Sequence, residues 1–150
     1  MNTRHKGLWF LLLFDRIIKR LIIWGRLCPA KVLPFVTCRV TLNRGISLSM
    51  FSNLGATGFY ILTGIIGLFL FGFAWYMHKR AEADYDTFGE MLVLVGGTSN
   101  FLDRLVYGGV VDFIQLSFGG WSFPIFNFAD VYIVLGVAIM IYTTFYEDVD

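Results

Sequence analysis

Charge is absent from long runs of this chain, and those runs set its expected architecture. Residues 54–77 (LGATGFYILTGIIGLFLFGFAWYM) hold no charged side chain. As a helix rising roughly 1.5 Å per residue they reach about 36 Å, enough to cross a hydrocarbon core of about 30 Å. A second run, 126–146, is interrupted only near its start, by Asn127 and Asp130. A third, 87–107, is uncharged from Met91 to Leu102 and bounded by Glu90 on one side and by Asp103 and Arg104 on the other. Its charges fall near the ends, where they could reach the interface or a wet cavity. The first candidate, 8–24, is the least regular, because Asp15, Arg16, Lys19 and Arg20 are interleaved with Ile17, Ile18, Leu21, Ile22 and Ile23. It reads as a short span with a charged, interfacial second half. A cleaved signal peptide is the alternative, although no small-x-small cleavage site precedes Cys28.

Period two replaces the apolar runs at one place. Phe35 to Asn43 alternates Val36, Cys38, Val40 and Leu42 with Thr37, Arg39, Thr41 and Asn43, which predicts a strand outside the bilayer. Residues 113–124 (FIQLSFGGWSFP), rich in aromatics and broken by Gly119-Gly120, predict a loop or hairpin in the headgroup region. With four spans, both segments fall on the same side. The expected fold is therefore a membrane all-α protein with a small β element: four transmembrane helices plus a strand-containing cradle, in one domain over residues 1–150. Counting Lys and Arg does not orient it, since Arg4, Lys6, Lys79 and Arg80 on one side nearly balance Arg26, Lys31, Arg39 and Arg44, with Arg104 as a further candidate, on the other.

Composition agrees with the pattern. Only 15% of the residues are charged and 57% are hydrophobic, against about 25% charged in soluble domains. A net charge of +1 without a basic, aromatic-interleaved run excludes nucleic acid as the expected partner. Cys28 and Cys38 would bridge if their segment faces an oxidising compartment; on spacing alone unpaired thiols are the expected state.

Two carboxylates stand out against this background. Asp112 is alone between Arg104 and Asp130, and Asp130 is alone between Asp112 and Glu147. An isolated carboxylate at membrane depth costs a few kcal/mol or more and marks function by default, although each alone could be a helix cap or an interfacial side chain. Face to face in a low-dielectric cleft the two could not both ionise and would share a proton, the equipment of an aspartic peptidase. Asn100, Asp103 and Arg104 fall on one helical face, as do Asn127 and Asp130, so polar groups gather where two helices could meet. The plainer account is an Asp103–Arg104 pair with Asn127 as a cap. A small four-span transporter using the carboxylates as a proton relay is the competing function, but such an acid usually sits near the midplane.

The blocks GGTSNFLDR at 96–104, VVDFI at 110–114 and FPIFNFAD at 123–130 resemble the two signature blocks of the lipoprotein signal peptidase (signal peptidase II) family. Asp15-x-x-x-Lys19 and Asn43-x-Gly45 also match, and the similarity runs over roughly residues 8–145. The resemblance implies a four-helix protein of the bacterial inner membrane with both termini in the cytoplasm, an extracytoplasmic cradle and an active site near the outer interface. It implies cleavage of a prolipoprotein just before its diacylglyceryl cysteine, with Asp112 and Asp130 as the catalytic pair. By position Asn100, Asp103, Arg104 and Asn127 order the dyad and hold substrate backbone, Asn43 contacts substrate, and Asp15 and Lys19 shape the site. Its expected partners are the lipid-modified precursor and membrane lipids, acting on a monomer, with no metal and no cofactor. The departures from the family pattern are Ser99 in place of Gly before Asn100, Ile46-Ser47-Leu48 in place of a small-residue and Phe stretch, and the added charges Arg16 and Arg20.

Overall fold

The computed structural model describes residues 3–28, 32–45 and 55–147. Among them the chain forms four helices and a three-stranded antiparallel sheet, in the order α1 (Thr3–Ile23), β1 (Val36–Asn43), α2 (Gly55–Glu82), α3 (Phe88–Tyr107), β2 (Val110–Phe118), β3 (Trp121–Ser122) and α4 (Phe128–Glu147). By length and composition α2 and α4 could cross a bilayer. Their large side chains point outward: Leu68 is 75% and Phe71 76% exposed on α2. A contiguous apolar surface of that kind suits lipid rather than water.

The helices meet through small residues. A Cβ on Gly96 would stand 2.4 Å from the Ala129 carbonyl oxygen, and one on Gly136 would stand 2.6 Å from the Gly89 carbonyl oxygen. Gly89 and Gly96 on α3 therefore face Gly136 and Ala129 on antiparallel α4, and backbone approaches backbone as close membrane helix pairs do. The consequence is local to the site: one turn beyond Gly96, Asn100 comes within hydrogen-bonding distance of Asp130.

Gly108, left-handed at φ 70°, ends α3 and turns the chain directly into β2. The sheet has the order β1-β2-β3. Thr41 pairs with Asp112 and Asn43 with Val110, and the register shifts between Cys38 and Thr41, so an irregularity in β1 lies immediately beside Asp112. Gly119 and Gly120, both at positive φ, make the β2–β3 turn; the 113–124 segment is thus mostly strand. Phe126 exchanges backbone hydrogen bonds with Ile114, 2.8 Å and 3.0 Å, which ties the entrance of α4 to the strand that carries Asp112.

Three expectations are corrected. α1 is one helix from Thr3 to Ile23, and two charges of its second half point inward rather than outward: Asp15 and Lys19 are both 0% exposed, while Arg20 is exposed. They are tolerated because they pair with each other and with α3, an arrangement that period and charge counting along one helix do not reveal. Asp103 and Arg104 do not reach water either; both are buried. Cys28 and Cys38 form a disulfide, because the chain turns back after α1 at Gly25 (φ 68°) and brings their Cα atoms to 5.4 Å.

Candidate active site

Asp112 comes from β2 and Asp130 from the first turn of α4, and the residue between them in space is Asn127. Asn127 caps α4: its Oδ1 accepts the Asp130 N–H at 3.0 Å, while Asp130 Oδ2 accepts the Asn127 N–H at 3.0 Å. This is the reciprocal geometry of a capping box, built with Asp at the third helical position. The same Asn127 side chain donates through Nδ2 to Asp112 Oδ1 at 2.6 Å and to Asn100 Oδ1 at 3.2 Å. One side chain therefore both caps α4 and reaches Asp112, so the cap does not exclude a part in the candidate site.

Asn100, on α3, completes the bridge. Its Nδ2 donates to Asp130 Oδ1 at 2.8 Å, and its Oδ1 also accepts from Lys19 Nζ at 2.9 Å. Asn43, on β1, donates to Asp112 Oδ2 at 3.1 Å and accepts the Gly45 N–H at 2.9 Å. Asp112 is 3% exposed. Its carboxyl is pushed up to about 7, first by burial and then by the negative charge of Asp130, while the donors on Asn43 and Asn127 act in the opposite sense. Two carboxyls that repel each other in a cleft bridged by two amides can hold a proton near neutral pH.

Behind this pair lies a buried charge cluster. Lys19 Nζ uses its donors on Asp15 Oδ2 at 2.9 Å, Asp103 Oδ2 at 2.8 Å and Asn100 Oδ1. Ser99 Oγ donates to Asp15 Oδ2 at 2.5 Å, Arg16 pairs with Asp103 Oδ1, and Asp103 Oδ2 accepts the Val111 N–H at 3.2 Å. Two cations and two anions thus neutralise each other in the interior, as charges there must. Asp103 does not pair with Arg104. Arg104 instead donates to the carbonyl oxygens of Arg44 (3.3 Å) and Gly45, fixing the end of β1 that carries Asn43.

All nine residues expected at the site are accordingly brought into one connected set. Ser99 and Arg16 appeared in the sequence only as departures, although Ser99 and Asp103 share a helical face; both prove to be built into the cluster. Ile46 to Leu48 lie outside the described residues. The aromatics divide: Phe113 is buried against Phe128, with ring centroids 5.6 Å apart, whereas Trp121 is 60% exposed. Among the described residues no three His, Cys, Asp or Glu side chains converge to hold a metal ion. An apolar cleft of about 380 Å³ between α1, α2 and α3, lined by Trp9, Leu70, Met77, Met91 and Phe101 among others, contains none of these polar residues.

Comparison with known proteins gives the arrangement its family. The profile of the family described as Signal peptidase (SPase) II matches residues 8–146. The chain belongs to the signal peptidase II family. It is similar to the lipoprotein signal peptidase of Wolinella succinogenes, 37% identical over 146 residues that cover 96% of this chain and 94% of that one. To the lipoprotein signal peptidase of Thermodesulfovibrio yellowstonii it is 36% identical over 139 residues, 91% of this chain and 90% of that one. A solved bacterial membrane enzyme superposes with a TM-score of 0.77 at 30% identity, covering 98% of this chain and 90% of its own. A second superposes with a TM-score of 0.70 at 32% identity, covering 95% and 92%. For a signal peptidase II chain, membrane localisation and protease activity follow from the family.

Proposed function

We propose that this chain is an intramembrane aspartic endopeptidase that removes the signal peptide from diacylglyceryl-modified prolipoproteins, cutting before the lipidated Cys. The observation that carries this reading is the Asp112–Asn127–Asp130 bridge, in which Asn127 holds the strand carboxyl with its side-chain amide and the helix-capping carboxyl with its backbone N–H, in one connected, mostly buried site. Burial and the neighbouring charge favour a protonated Asp112, so Asp112 polarises the scissile carbonyl. Asp130 takes the proton from the attacking water. Asn43 and Asn100 orient the two carboxyls, Arg104 shapes the β1 end, and Asp15, Lys19 and Asp103 hold Asn100 from behind. No metal or cofactor is needed for these steps.

Four spans, with the sheet on the outer side and both termini in the cytoplasm, are part of the proposal. The Cys28–Cys38 disulfide supports that orientation, because disulfides persist in the periplasm and not in a reducing cytosol. A lipid-anchored substrate keeps its acyl chains in the bilayer and brings its scissile bond to a fixed depth. The site lies where α3 and α4 meet the sheet, the level at which such a bond arrives.

The test uses the purified protein in lipid with a prolipoprotein precursor, diacylglyceryl-modified or unmodified. Release of the signal peptide from the modified form alone is expected. Equal cleavage of both would remove lipid recognition from the account, and Asp130-dependent proton flux without cleavage would replace it with a transporter.

A further inference from the structure

Arg16 touches neither candidate carboxylate, yet it is built into the cluster behind them. Its guanidinium pairs with Asp103 Oδ1, donates to the Ser99 carbonyl oxygen at 3.2 Å and lies 5.8 Å from the centroid of the Tyr107 ring. The other oxygen of Asp103 is then left for Lys19 and the Val111 N–H. Lys19 in turn reaches Asn100, and Asn100 reaches Asp130.

We infer that Arg16 is a positioning residue for the Asp112/Asp130 pair: by occupying one oxygen of Asp103 it keeps Lys19 centred on Asp15, Asp103 and Asn100, and its charge tunes the pH range in which the pair works. The inference rests on the peptidase reading above. The charged groups of the cluster behind the pair are Asp15, Arg16 and Lys19 from α1 and Asp103 from α3, with Arg104 of α3 acting on Asp112; Asn43 from β1, Asn100 from α3 and Asn127 from α4 are neutral. Tyr132 on α4 lies within electrostatic reach of Asp15. Three cations therefore face two anions. Without Arg16 the balance is equal, and Lys19 must serve two buried carboxylates by itself. The weaker positive field lets the singly protonated pair persist to higher pH.

The experiment measures kcat and kcat/KM against pH for the wild type, R16Q, R16M and R16K in one lipid, with thermal unfolding of each. R16Q and R16M are expected to move the activity bell to higher pH by about half a unit to one unit, a size set by a partly screened charge one shell away. kcat at fixed pH is expected to change more than KM, and R16K to restore much of the original position. A uniform fall in rate at every pH with the bell unmoved, or no change at all, would overturn the inference, as would neutral variants that fail to fold beside a folded R16K. Asp112→Asn is assayed in parallel. If it keeps the wild-type rate, the dyad reading has failed; if it is inactive while the R16Q and R16M bells stay in place, only the assignment of Arg16 has.

Discussion

Replacing Lys19 by Met tests the cluster behind Asp112 and Asp130 directly. The ammonium is 0% exposed and makes three contacts of 2.8–2.9 Å, two of them to carboxylates that are themselves 0% exposed. Met matches the length of the stem but leaves Asp15 and Asp103 in the interior, with Arg16 able to reach only Asp103. Among the described residues one oxygen of Asp15 lacks a hydrogen-bond partner, and without Lys19 the Ser99 hydroxyl is the donor left on the other. Removing one member of a buried pair costs about 3–5 kcal/mol, which for a chain of this size is roughly 6–20 °C in Tm. The assay is thermal unfolding in detergent for Lys19→Met and for Lys19→Met combined with Asp15→Asn. The double variant should recover part of the loss, because it removes the stranded charge, and the two changes should be strongly non-additive. A Tm within about 2 °C of the wild type for the single variant, equivalent to less than 1 kcal/mol, would refute the claim that these charges hold the interior together.

Asn127→Ala removes a helix cap worth about 1 kcal/mol and one donor to Asp112, so a small fall in Tm should accompany a loss of about 10²-fold or more in kcat; unchanged turnover would contradict the bridge. Gly96→Ala drives a Cβ toward the Ala129 carbonyl oxygen and should lower stability by about 1–3 kcal/mol, with activity falling as Asn100 moves from Asp130. Thermal unfolding and cleavage rates measure both effects. The folded Asp112 carboxyl stands at about 7 against an ordinary 3.8, so between those values the folded state holds a proton that the unfolded state has released. Its contribution is fully present below 3.8 and is lost as pH rises to about 7. A plot of Tm against pH should therefore slope downward over that window in the wild type and less so in Asp112→Asn.

The apolar runs identified α2 and α4 because nothing else competes with a chargeless stretch of that length. Asp112 and Asp130 were equally legible, since their isolation is itself the signal. What the sequence hid is pairing between elements. In α1 the charges Asp15 and Lys19 looked interfacial because a one-dimensional pattern shows a residue's neighbours along its own helix, and their partners Ser99, Asn100 and Asp103 lie more than eighty positions away. The Asp103–Arg104 pair failed for the same reason: adjacent residues point in different directions on a helix, so each found a different partner. Cys28 and Cys38 were read as thiols because the return of the chain after α1 is set by Gly25, whose positive φ no spacing rule reports. Asn127 was legible in both its aspects, cap and site residue, and only the structure shows that one amide does both.

The most direct measurement is signal-peptide release from a diacylglyceryl-modified precursor by Asp112→Asn and Asp130→Asn, each shown to be folded. Both substitutions keep the shape of the site and remove one carboxyl, so both should abolish cleavage. Wild-type release by either variant would show that the two carboxyls are not the catalytic pair.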